Sequence, residues 1–151
     1  MLGDSTTDEL SHIVEFELPA DNPELIRPVY TRINQNSEQK KVIKCFELLA
    51  DKTYIIPENR WIILKPGIRI WLANNYACYI KPKRVLSLAY GIITQADLIV
   101  GSDANDFDEI VVAVHNITHE PVIIEKGLPI AELYIIEAKK IETNQFEVYL
   151  A

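Results

Sequence analysis

Tyr76-Ala77-Cys78-Tyr79-Ile80-Lys81-Pro82-Lys83-Arg84-Val85-Leu86-Ser87-Leu88-Ala89-Tyr90-Gly91-Ile92 opens the stretch, Tyr76 to Ile136, from which the rest of the chain is placed. An apolar strand over residues 77–81 runs into a basic Pro-Lys-Arg turn, then a helical turn at 86–90, then a bend at Gly91. Further strands are expected at 97–100, 109–116, 121–125, 130–137 and 146–150, with an acidic loop after Val100. Upstream the same grammar continues. Residues 68–72 alternate, 61–65 follow a turn at Glu58-Asn59-Arg60, and Tyr54-Ile55-Ile56 is closed by Pro57. Residues 42–50 are read as extended, although nine residues do not separate strand from helix by periodicity. Residues 20–26 are turn-like, 28–30 read as a short edge strand, 34–38 as a polar loop, and 13–18 as a half-buried strand. About ten short strands with almost no helical periodicity predict an all-β, antiparallel, closed or sandwiched architecture.

A chain of 151 residues amounts to one domain. The formal charge of −7 has a location. Residues 1–26 hold seven acids and no Lys or Arg, leaving fifteen acids against fifteen bases in the remainder. The expected division is an acidic leader at 1–26, with one strand, and a single β domain at 27–151. No basic surface large enough to follow a phosphate backbone is foreseen, so nucleic acid is not an expected partner. No apolar run approaches the roughly 20 residues that span a bilayer, and no membrane span is expected. Cys45 and Cys78 sit alone in apolar segments without CxxC spacing or a signal-peptide pattern. Buried structural thiols in an intracellular protein, of cytoplasm or nucleus, are the expectation.

Four segments share one order and spacing: Cys45-Phe46-Glu47-Leu48-Leu49-Ala50, Lys81-Pro82-Lys83-Arg84-Val85, Asp97-Leu98-Ile99-Val100-Gly101, and Gly127-Leu128-Pro129-Ile130-Ala131-Glu132-Leu133. In that order they resemble the deoxyuridine triphosphatase (dUTPase) family over residues 42 to about 138. The resemblance implies a dUTPase-like distorted jelly-roll β-barrel, a homotrimer, and exchange of the C-terminal strand at 146–150 between subunits. Gly91-Ile92-Ile93-Thr94-Gln95-Ala96-Asp97-Leu98-Ile99 and His115-Asn116-Ile117-Thr118-His119 look most like the dUTPase-derived early-region proteins of adenoviruses. Some of those have lost the enzyme and act by binding host proteins.

The resemblance holds for the frame and fails at the chemistry. Glu47 stands where the family has an Asp that helps hold magnesium, one methylene longer in a shell that is strict at about 2.1 Å. Lys83, Arg84 and Val85 stand where an Arg, a Ser and a Gly hold phosphate. Val100 falls at the catalytic base, in a hairpin about three residues longer than the family's, and valine accepts no proton. Asp103 or Asp97 takes that role only in another register. Phe107 stands for the Tyr that selects deoxyribose, and the Gly-rich fifth motif is missing, since no glycine follows Glu137. The expectation is a catalytically inactive dUTPase-like protein, with no cofactor, that works through an unidentified protein partner. Lys83, Arg84 and Phe107 would then be vestigial nucleotide and phosphate positions. The alternative is an active magnesium-dependent dUTP pyrophosphatase, producing dUMP and pyrophosphate, with Glu47 on the metal and Asp103 or Asp97 as base. The related dCTP deaminases need a glutamate where this chain has Val111-Val112-Ala113-Val114. His12, His115 and His119 read as surface or turn residues, because a spacing of four aligns ligands on a helix and not on a strand.

Overall fold

The computed structural model describes residues 10–29 and 42–137. Among them are thirteen strands and one helical turn. The strands are β1 (Val14–Glu17), β2 (Ile26–Val29), β3 (Val42–Leu49), β4 (Tyr54–Ile56), β5 (Trp61–Leu64), β6 (Arg69–Leu72), β7 (Tyr76–Pro82), β8 (Ile92–Thr94), β9 (Asp97–Val100), β10 (Asp108–Glu109), β11 (Val112–Asn116), β12 (Val122–Ile124) and β13 (Pro129–Glu137). They form four sheets, ordered β2-β3-β13-β7-β9, β1-β6-β10, β5-β11-β8 and β12-β4. Every pairing is antiparallel.

One core holds the sheets together. Val14, Leu48, Ile56, Leu64, Ile70, Ile80, Val114, Ile124 and Leu133 are buried in a single cluster to which all four sheets contribute. Burial follows the period of two: in β11, Val112, Val114 and Asn116 point inward while Ala113 and His115 point outward. β13 departs from it where Ile130 and Ala131 are both buried. A register shift between Pro129 and Ala131 allows this, as a bulge turns one extra residue toward the core.

Residues 42–50, ambiguous by periodicity, are strand over Val42–Leu49, and the helical turn lies at Leu86–Tyr90 in π geometry. Three readings need correction. The strand expected over 109–116 is two strands: β10 pairs with β6, the chain crosses at Ile110, whose N–H bonds Ile68 (2.8 Å), and β11 lies between β5 and β8. A continuous apolar run does not reveal that it serves two sheets. β8, too short to stand out beside Gly91, was not foreseen and pairs with β11. The hairpin expected around the acidic loop does not form, because β9 pairs with β7 and β10 with β6. Gly101 diverts the chain: its N–H bonds the Tyr76 carbonyl (2.7 Å), and a Cβ there would collide with the Ala73 carbonyl oxygen. The strand expected at 146–150 lies outside the described residues.

Two corners set the junction of the β5-β11-β8 and β12-β4 sheets. Gly91, at φ 68°, ends the helical turn with its N–H on the Leu86 carbonyl and accepts from the Ile117 N–H (3.0 Å). Asn116 is fully buried, and its amide donates to the Ile56 and Glu120 carbonyls (3.0 and 2.8 Å) while its oxygen accepts from the Thr118 N–H and hydroxyl (2.8 and 2.7 Å). Every polar atom of that side chain has a partner, as burial requires.

Candidate functional site

Strand register gathers a row of charge on the outer face of the five-stranded sheet. Arg27 on β2 stands opposite Glu47 on β3, Glu47 opposite Glu132 on β13, and Glu132 opposite Lys81 on β7. Two glutamates directly across from each other repel, and the flanking cations offset this. Arg27 Nε donates to Glu47 Oε1 (2.8 Å), Lys83 Nζ to Glu47 Oε2 (3.1 Å), and Lys81 Nζ to Glu132 Oε1 (3.3 Å). Partial burial alone pushes the Glu47 carboxyl up, but the hydrogen bonds and charges of Arg27 and Lys83 outweigh it and hold the group below its usual range.

Beside this row, Cys45 Sγ lies 4.0 Å from Glu132 Oε2. Burial and then the Glu132 charge push its thiol up to about 11, and burial pushes Cys78 up to about 12. Both cysteines are free and buried. Neither has the electropositive, accessible setting of a reactive thiol.

The structure brings Glu47 and Lys83 together and leaves the other sequence candidates elsewhere. Arg84 is exposed at the start of the helical turn, and its carbonyl accepts from the Ser87 hydroxyl (2.9 Å). Val85, matched to a glycine in the phosphate motif, is right-handed helical at φ −61°. Asp97 begins the edge strand β9, and its carboxylate accepts the Leu98 N–H (2.8 Å). Asp103 is exposed in the loop between β9 and β10. Val100, the residue at the base's position, is 61% exposed. Phe107 lies against the β1-β6-β10 sheet with the Arg69 guanidinium 5.6 Å from its ring. His115 stacks on Trp61 (centroids 4.9 Å apart), and His12 and His119 are exposed.

Magnesium fits this arrangement poorly. Both oxygens of Glu47 already accept from cations, and the nearest opposing carboxylate, Glu132, is paired as well. Among the described residues no group of three or more His, Cys, Asp or Glu side chains is placed to hold a metal. Arg27, Lys81 and Glu132 were not foreseen as members of the site, because only strand register aligns them with Glu47.

The frame is diagnostic where the chemistry is not: the dUTPase family model matches residues 30–149. The chain belongs to the dUTPase family. It is 31% identical over 94 residues to the deoxyuridine 5′-triphosphate nucleotidohydrolase of Hydrogenobaculum sp. (strain Y04AAS1), a match over 62% of this chain and 64% of that relative. The aligned part thus spans less than two thirds of the relative. Among solved structures, the dUTPase of Staphylococcus bacteriophage 80alpha superposes with a TM-score of 0.67 at 13% identity, over 91% of this chain and 98% of that one. A dUTPase variant from phage phi11 of S. aureus, described as coordinating a structural Mg(II) ion, superposes at 0.65 with 11% identity, over 91% and 99%. At such identities the likeness is one of dUTPase fold alone. The described residues contain no helix long and apolar enough to cross a membrane.

Proposed function

We propose that this dUTPase-family chain has lost nucleotide hydrolysis and works as an intracellular interaction protein, assembled as a homotrimer. The observation that carries the reading is the pairing of Glu47 with Lys83 and Arg27. The carboxylate at the metal position and the base at the phosphate position neutralise each other, so neither faces a magnesium triphosphate unengaged. Val100 supports the same reading, since an exposed valine at the base's position activates no water. Separation of β9 and β10 into different sheets likewise leaves Asp97 on the five-stranded sheet and Phe107 in the loop before β10, beside Arg69 of β6.

Family membership favours a second reading, an active dUTP pyrophosphatase in which Glu47 exchanges its cations for magnesium and Asp103 or Asp97 serves as base. The two readings separate in one assay: full-length protein with Mg²⁺ and each deoxynucleoside triphosphate in turn, following pyrophosphate release, with Glu47→Ala as the contamination control. The expected result is no release above the control from any triphosphate. Release from dUTP that the control loses would establish the enzyme.

A further inference from the structure

A cavity of about 340 Å³ opens on the outer face of the β1-β6-β10 sheet, lined by Ser11, Glu15, Trp71, Asn105 and Phe107. Glu15 and Trp71 are directly opposed across β1 and β6. The loop after β9 brings Asn105 and Phe107 over the same face, and the Phe107 carbonyl accepts from Arg69 (3.4 Å). Two aromatic rings, a carboxylate and an amide therefore border one opening. The Trp71 indole nitrogen is buried and has no hydrogen-bond partner among the described residues.

Charge decides what fits. Glu15, Glu17 and Glu109 share this sheet, and Asp103, Asp106 and Asp108 are exposed in or just after the loop that supplies Phe107. Arg69 opposes both Glu17 and Glu109 and bonds Glu17 (3.3 Å), which leaves Glu15 as the carboxylate in the cavity wall. Such a surround repels a triphosphate and attracts a cation. The ring of Phe107 already takes one guanidinium, that of Arg69, and Trp is the strongest partner for such contacts.

We propose that the cavity is a docking site for a basic segment of a partner protein, one arginine entering between Trp71 and Phe107 with its guanidinium on Glu15. The main chain of such a segment can pair with the polar rim of the cavity, which favours a peptide over a free polyamine. Asn105 offers an amide to the same backbone. This deepens the interaction reading above and rests on it, while naming a different face from the Glu47 row.

The test follows the two indole N–H resonances of ¹⁵N-labelled full-length protein titrated with a capped tetra-arginine peptide at low ionic strength. The Trp71 resonance is expected to shift and saturate while that of Trp61 stays in place, and a tetra-glutamate peptide is expected to move neither. Glu15→Gln, an exposed surface substitution whose amide spectrum should otherwise superpose on the parent, is expected to weaken binding at least tenfold. A Trp71 resonance that tetra-arginine leaves unmoved overturns the proposal, as does equal affinity in Glu15→Gln. A shift with dUTP in place of the basic peptide assigns the cavity to nucleotide and overturns it too. Pyrophosphate release reports on hydrolysis and this titration on docking, so either reading fails separately.

Discussion

Glu47 has its side chain only 13% exposed, with Arg27 on one oxygen and Lys83 on the other. Glu47→Gln keeps the shape, removes the charge and leaves Lys83 facing a neutral amide. A loss of about 1–2 kcal/mol at pH 7 is expected, since charge-assisted bonds exceed neutral ones but Arg27 is half-exposed. The sign with pH follows from the lowered carboxyl: its contribution is complete above the unfolded value of 4.5 and disappears as pH falls through the folded value beneath it. Urea unfolding of parent and variant should therefore differ at pH 7 and draw together as pH falls below 4.5. A gap that does not change with pH would remove the ion pairs from the account. The two thiols titrate the other way. With Cys45 pushed up to about 11 and Cys78 to about 12, both should resist a thiol-specific disulfide reagent at pH 8 in the native protein and react in denaturant. Rapid native labelling of either would contradict the burial described for it. Glu47 was visible in the sequence because it stands where the family has its magnesium-holding Asp. Its partners were not, because Arg27 and Lys83 lie 20 and 36 residues away and meet it only through sheet register.

Strands and corners carry the next level. β9 occupies the residues expected for it, and β4 stops at the proline that ends it. The break between β10 and β11 was not legible, since Ile110 and Val112 are both buried and a buried run looks alike in one sheet or two. The corners that direct these strands are open to test. Gly91→Ala puts a Cβ at φ 68° against the Thr118 side chain, and a loss of about 1–2 kcal/mol is expected from the backbone conformation alone. Asn116→Ala leaves the Ile56 carbonyl without the Asn116 donor and removes the acceptor shared by the Thr118 N–H and hydroxyl; about 3 kcal/mol is expected from several buried bonds lost together. Thermal unfolding of both variants measures this. Melting temperatures equal to the parent would show that the corners follow the sheets and do not set them. In the sequence Asn116 is set apart only by the resemblance of residues 115–119. Its structural weight comes from Glu120, Thr118 and Ile56 closing around it.

At the scale of the molecule, four sheets share one core, and the spacing of apolar runs made that frame readable before any contact was known. The site was less readable, because chemistry depends on which strands become neighbours while the frame depends mainly on where strands begin and end. The proposed homotrimer predicts a mass three times 17.3 kDa by light scattering at micromolar concentration. A monomer there would remove the assembly and leave the fold as described.

The burial of Asn116 has one more consequence. Asn116-Ile117-Thr118 has the Asn-x-Thr pattern that oligosaccharyltransferases modify. In the folded protein that amide is enclosed and both of its ends are engaged, so a sugar could be attached only to the nascent chain. A glycan at that nitrogen would displace the Ile56 and Glu120 carbonyls and hold the corner open. Expression through a glycosylating route should therefore call for an Asn116 or Thr118 substitution that itself weakens the corner.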